Sequence, residues 1–175
     1  AAQMAYAGAS IAREPADKAM VANPGRRILV AGSVGPSSKS LSIAGDLNNP
    51  MHRSLFFDQM AEAYKEQTES LIRGGVDFIL IETCMDALNA KAAIYGIPEG
   101  FPVMISVTSA DKSGRLLTGQ TIEAFYHSLK HCNPAAFSIN CSFGALEMAP
   151  LVEKLKQVVD ENSARVLVKF EGLNV

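Results

Sequence analysis

Short apolar runs alternate along this chain with longer amphipathic stretches. The runs are Arg27-Ile28-Leu29-Val30-Ala31, Phe78-Ile79-Leu80-Ile81, Val103-Met104-Ile105-Ser106-Val107, Ala136-Phe137-Ser138-Ile139 and Val166-Leu167-Val168. Near-continuous apolar runs of this length predict strands buried on both faces of a parallel sheet. The stretches between them read as helices. Over 53–73, Phe56, Met60, Tyr64 and Leu71 recur at helical spacing, and Gly74-Gly75 supplies a stop. A second helix is predicted over 87–95 with Asp86 as its cap, and a third over 122–131 capped by Thr121. A fourth covers 145–159. Pro150 suits only a first turn, which moves its expected start to Ala149. The stretch before Pro24 is also predicted to be helical, with Pro15 blurring its limits.

Strand alternating with helix at this spacing gives right-handed βαβ units, which close in two ways: a doubly wound open sheet or a (β/α)8 barrel. The Gly-rich phosphate fingerprint of the first follows none of the runs. Polar residues follow most of them instead, namely Ser33, Glu82-Thr83, Thr108 and Asn140-Cys141. In a barrel these converge on the carboxyl face, where barrel enzymes keep their chemistry. A whole barrel takes about 250 residues. The expectation is therefore an α/β chain forming a partial (β/α)8 TIM-type barrel, with about five of eight βα units in one domain over residues 1–175.

Charge and composition narrow the classes. A net charge of -2 lacks the basic patch expected of nucleic-acid binders, so no nucleic-acid partner is expected. No apolar run approaches the roughly 18 residues of a membrane span. The amino terminus lacks the basic and apolar regions of a secretory signal. Cys84, Cys132 and Cys141 are an odd count with no close spacing in the sequence, which favours thiols in a reducing compartment and makes the cytoplasm the expected location. The chain starts without an initiator Met and stops just after an apolar run, so it is expected to be an internal piece of a longer protein.

The strongest chemical candidate lies in Ser138-Ile139-Asn140-Cys141-Ser142-Phe143-Gly144. Here a strand delivers a cysteine to its carboxyl end, near helix amino termini that favour a thiolate. A buried structural thiol is the alternative. The second candidate is Glu82, an acid that ends an apolar strand. Burying it unpaired is costly, so it either faces a polar pocket and receives the ammonium group of an amino acid, or pairs with a nearby Lys or Arg. Cys84 reads as a loop thiol and Cys132 as filler at a helix end. His52, His127 and His131 lack the spacing of a metal pair on one helix face and read as surface residues. Lys169 is placed at a strand end, where a Schiff-base role competes with a plain surface lysine.

Five ordered segments carry a family resemblance. They are Val30-Ala31-Gly32-Ser33-Val34-Gly35-Pro36, Leu80-Ile81-Glu82-Thr83, Leu88-Asn89-Ala90-Lys91-Ala92-Ala93, Ser113-Gly114-Arg115-Leu116-Leu117-Thr118-Gly119-Gln120-Thr121 and Asn140-Cys141-Ser142-Phe143-Gly144. From about residue 3 to 159 the chain resembles the homocysteine-binding domain of cobalamin-dependent methionine synthase. The resemblance implies zinc held by three cysteines, with Cys141 matching the first of them. It implies that Glu82 receives the amino group of homocysteine and that Asn140 helps shape the substrate loop. The implied methyl donor is methylcobalamin, charged from methyltetrahydrofolate, with cobalamin and folate domains of a parent protein as partners. Betaine or S-methylmethionine as donor, and a non-catalytic degenerate chain, are the alternatives.

Three features depart from that pattern. No adjacent Cys-Cys pair occurs, so two of the implied zinc ligands are missing from the sequence. Tyr95-Gly96-Ile97-Pro98 leads almost directly into Phe101-Pro102-Val103, a shortened helix–strand connection. Val166-Leu167-Val168-Lys169-Phe170-Glu171-Gly172 stands where a Pro-Asn-Ala-Gly type loop is expected. An open remnant of a barrel exposes two sheet edges, so the isolated chain is expected to be inactive and prone to aggregate.

Overall fold

The computed structural model describes residues 1–159 and 165–168. Five parallel strands, β1 (Ala31–Val34), β2 (Phe78–Cys84), β3 (Val103–Val107), β4 (Ala136–Ile139) and β5 (Arg165–Val168), form one sheet in the order β1-β2-β3-β4-β5. Each strand therefore lies beside its neighbour in sequence. A doubly wound sheet must reverse direction at a switch point; this sheet has none among the described residues, and its strand order is that of a (β/α)8 barrel. Helices α1 (Ala2–Ala22), α2 (Phe57–Arg73), α3 (Ala87–Tyr95), α4 (Ile122–Leu129) and α5 (Ala145–Val158) alternate with the strands, and each packs against the next. A short 3-10 turn, Lys130–Cys132, extends α4.

Side-chain alternation separates the two faces of the sheet. Phe137 of β4 packs edge-on against Phe125 and Tyr126 of α4. A side chain added at Gly32 would meet Leu71 of α2 and Ile79. Gly32, Val34, Ile79, Ile81, Ile105, Val107, Phe137 and Ile139 thus face the helices, and seven of these eight, all but Gly32, belong to the buried apolar core. By alternation the other face carries Ser33, Leu80, Glu82, Met104, Ser106, Ser138 and Asn140. The runs are largely buried as expected through β3 and β4, but their second face sets Ser106, Ser138 and Asn140 beside Met104 rather than a continuous apolar stripe.

Several boundaries differ from the sequence reading. Strand β1 starts at Ala31, because Ala31 to Val34 pair with Phe78 to Ile81, while Val30 is held by Asp77: its N–H donates to Asp77 Oδ2 at 2.6 Å. Helix α2 starts at Phe57 rather than 53, where Gln59 Oε1 reaches back to the Phe56 N–H at 3.0 Å. Helix α5 starts at Ala145, not Ala149, and carries Pro150 inside it. A proline there removes one helix hydrogen bond; burial of Met148, Leu151 and Leu155 along one face holds the helix together across it. The caps Asp86 and Thr121 are as expected, with Asp86 accepting from the Leu88 N–H and Thr121 from the Ala124 N–H.

The end of α2 shows how closely the helices are set. Gly75 has φ +96, and the Gly75 and Val76 N–H groups bond back to Ile72 and Leu71 carbonyls, the Schellman arrangement that favours glycine. Gly74 is required by proximity instead: an added Cβ would lie 2.5 Å from Ala9 Cβ and 2.7 Å from the Tyr6 carbonyl of α1.

Candidate functional site

The carboxyl ends of β2, β3 and β4 meet around one buried amide. Asn140, which directly follows β4, is fully buried. Its Oδ1 accepts from Ser106 Oγ at 2.6 Å and from the Thr83 N–H at 3.2 Å. Its Nδ2 donates to Thr83 Oγ1 at 2.8 Å and to Cys141 Sγ at 3.0 Å. The backbone N–H of Asn140 continues the sheet by donating to the Val107 carbonyl. A buried amide costs free energy unless its polar atoms are bonded. Here that requirement fixes three strand ends relative to one another.

Two residues touching this amide have left-handed backbones: Thr83 at φ 60 and Cys141 at φ 52. A β-branched residue rarely adopts that conformation, and each such residue costs about 1–3 kcal/mol unless its surroundings enforce it. The register explains Thr83. Ile81 pairs with Ile105 and Cys84 with Val107, so three steps on β2 oppose two on β3, and the extra residue falls at Glu82-Thr83. Such bulges redirect side chains at strand ends. Alternation already puts Glu82 on the face opposite the helices, where its Oε1 accepts from Ser33 Oγ of β1 at 2.5 Å, and the bulge instead brings Cys84 to the buried side beside Val107. Thr83 Oγ1 lies 3.9 Å from Cys141 Sγ.

The loop after β4 is fastened as firmly. Ser142 Oγ accepts from the Ser109 N–H at 2.8 Å and donates to the Asn140 carbonyl at 3.2 Å. Thr108 Oγ1 donates to the Cys141 carbonyl at 3.3 Å. The segment that follows β3 folds back on itself: Ala110 N–H donates to the Arg115 carbonyl, Leu116 N–H to the Gln120 carbonyl, and Arg115 bridges Thr121. Thr118 Oγ1 donates to the Met85 carbonyl at 3.4 Å, tying this segment to the end of β2.

The three thiols differ sharply. Cys141 is exposed, Cys132 half-buried and Cys84 buried. Burial, with the Glu82 carboxylate adding to it, pushes the Cys84 thiol up to about 12, and its sulfur faces the Ile81 carbonyl at 3.8 Å. Burial also raises the Cys132 thiol, which belongs to the turn after α4. Of the sequence-predicted residues, Glu82, Asn140 and Cys141 are gathered at neighbouring strand ends. Cys84 and Cys132 take no part, and His52, His127 and His131 are exposed. Lys169 lies outside the described residues.

Sequence reasoning missed Ser33, Ser106 and Thr83 as partners of these groups. Ser106 carries a signal: it is a polar residue inside an apolar run, as Ser138 is, and lies two positions before Thr108 and therefore on the same face. Asp86 was read as a helix cap alone, yet it also accepts from Ser40 Oγ at 2.6 Å, Ser42 Oγ at 2.7 Å and the Ser42 N–H at 3.0 Å. Burial works to raise its carboxyl, but the bonds from Ser40, Ser42 and Leu88 outweigh it and hold the group below the ordinary carboxylate range.

The fit to zinc is partial. Cys141 is an accessible sulfur held at a strand end, which suits a thiolate ligand. No group of three or more His, Cys, Asp or Glu converges among the described residues, whereas zinc sites take three or four protein ligands. The described residues present one accessible sulfur there and not a complete ligand set. No helix among the described residues is long and apolar enough to cross a membrane.

Structures of the homocysteine methyltransferase MmuM from Escherichia coli share this fold. The apo form aligns at TM-score 0.73 and 18% identity, covering 97% of this chain and 69% of that one. The metallated form aligns at TM-score 0.72 and 20% identity, covering 97% of this chain and 58% of that one. The oxidized form aligns at TM-score 0.64 and 20% identity, covering 97% and 66%. This chain therefore spans between 58% and 69% of the length of those structures. In sequence, the family model for homocysteine S-methyltransferase matches residues 1–171, and on that match the chain belongs to the homocysteine S-methyltransferase family.

Proposed function

We propose that this chain binds homocysteine and takes part in moving a methyl group onto its sulfur, forming methionine. One observation carries the reading: the Asn140 amide holds Cys141, the exposed thiol of the three, beside the Glu82-Thr83 bulge. An amino-acid thiol needs two recognition elements, one for its ammonium group and one for its sulfur. Glu82 supplies a carboxylate for the ammonium group, oriented by the Ser33 hydroxyl. Cys141 would supply one sulfur ligand to a zinc ion. When bound, zinc would supply Lewis acidity that favours the thiolate form of a thiol. In the transfer, the homocysteine sulfur donates an electron pair to the methyl carbon, the bond from that carbon to the donor breaks with its pair staying on the donor, and the thiol proton is released.

Asn140 belongs among the positioning residues in this scheme. Its amide atoms are all engaged within the protein, so it shapes the pocket through Thr83 and Cys141 rather than by touching substrate. Methylcobalamin is favoured as donor over betaine or S-methylmethionine by the likeness of the Ser113-Gly114-Arg115 to Thr121 segment to cobalamin-dependent methionine synthase. That reading places cobalamin and folate domains in the protein that carries this chain, in the cytoplasm.

In the full-length gene product, Cys141→Ser is expected to lose most bound zinc and all methyl transfer while keeping its circular-dichroism spectrum. Metal analysis of the purified variant checks this. Full zinc occupancy in Cys141→Ser would remove Cys141 from the ligand set.

A further inference from the structure

Residues 35–56, between β1 and α2, form no helix or strand. Connections longer than about 12–15 residues without structure of their own are uncommon in compact domains and are often functional. This one is held down in its middle by two residues of another unit. Asp86, 4% exposed, accepts four hydrogen bonds, three of them from Ser40 and Ser42 and one from the Leu88 N–H. None of these donors is charged. Asn89, one turn further along α3, accepts from the Leu41 N–H at 2.9 Å and donates to the Lys39 carbonyl at 2.7 Å. Leu41 itself is buried, and its carbonyl accepts from Arg53 Nε at 3.1 Å.

The dependence runs both ways. A carboxylate buried without a cation is tolerated only when donors surround it, and most of those donors come from the loop. Conversely, the Lys39 carbonyl and the Leu41 and Ser42 N–H groups are satisfied by Asp86 and Asn89 at the start of α3. A single hydroxyl or cap would not give this reciprocity. The clasp also has a place. A cavity of about 30 Å3 is lined by Gly35, Pro36 and Ser37 on one side and by Glu82, Met85 and Asp86 on the other. With room for about one water, that cavity brings residues 35–37, just ahead of the fastened residues 39–42, close to Glu82.

We infer that Asp86 and Asn89 are positioning residues that hold residues 35–42 as a fixed wall of the amino-acid pocket beside Glu82, and so set substrate affinity. This rests on the homocysteine reading above and adds the element that shapes its pocket. Neither residue needs to touch substrate.

The discriminating variant is Ser40→Ala with Ser42→Ala, which removes the two hydroxyls that bond Asp86 but leaves Asp86 capping Leu88. In the full-length protein, amide exchange at Leu41 and Ser42 is expected to quicken about tenfold or more, reporting local opening. Homocysteine affinity by calorimetry is expected to fall about tenfold (about 1.4 kcal/mol) with zinc content unchanged. Asp86→Asn, which leaves one oxygen for two backbone N–H groups, is expected to lose more on both readouts. Faster exchange with unaltered homocysteine affinity overturns the inference, because the loop would then be fastened for stability alone. Unaltered exchange in both variants overturns it as well. Wild-type protein that binds no homocysteine would instead defeat the substrate reading, and the exchange arm would still decide whether the clasp holds the loop.

Discussion

Asn140 and Cys141 show how much one residue's surroundings decide. Side by side in sequence, one is fully buried with four bonds to its amide and the other is exposed. The three cysteines carry the same lesson into reactivity. A thiol raised to about 12 is deprotonated in only about one molecule in ten thousand at pH 8. Burial then slows whatever thiolate exists. With a small alkylating reagent at pH 8, mass spectrometry is expected to find Cys141 modified first, Cys132 more slowly, and Cys84 only after unfolding. Since the Cys84 value is raised, higher pH increases its reactivity, but only on approaching pH 12. Equal rates at Cys84 and Cys141 would contradict the burial and the geometry described. Glu82 and Cys141 stand out in the sequence because a polar residue ending an apolar run is conspicuous, whereas Asn140 gains a role there only through the family resemblance. The sequence could not show that Asn140 turns inward, since that depends on hydroxyl and amide partners from β2 and β3.

Among the elements, strand ends and helix ends were read with different success. Asp86 and Thr121 are local caps, so they were legible from neighbouring residues. The start of α5 was not, because it depends on burial of Met148 against other parts of the chain, which tolerates a proline that local rules place elsewhere. The bulge in β2 was also invisible, since it exists only as a mismatch of two registers. Packing between elements yields its own expectation. Gly74→Ala would press a methyl group onto Ala9 and the Tyr6 carbonyl, and overpacking of this kind costs about 1–3 kcal/mol. Urea unfolding should show a lower midpoint at the same slope. A wild-type midpoint would mean that α1 does not sit against the end of α2 as described.

On the scale of the whole molecule, the sequential parallel order is what brings the chemistry together. Every strand points its carboxyl end the same way, so Ser33, Glu82, Thr83, Thr108 and Cys141, widely separated in the sequence, line one rim. Strand–helix alternation made the fold class legible, and the polar residues after the runs made the rim legible. The clasp of Asp86 and Asn89 on residues 39–42 was not, because it joins segments more than forty positions apart through an irregular loop. Glu82, carried on the rim by β2 and braced by Ser33, is proposed to receive the amino group of homocysteine. Isothermal titration of homocysteine into full-length wild-type protein and its Glu82→Gln variant, with zinc measured on both, tests that most directly. The expected result is unchanged zinc and an affinity at least about tenfold lower, the loss of one charge-assisted contact of roughly 1.5–3 kcal/mol. Equal affinity in the two proteins would contradict the account.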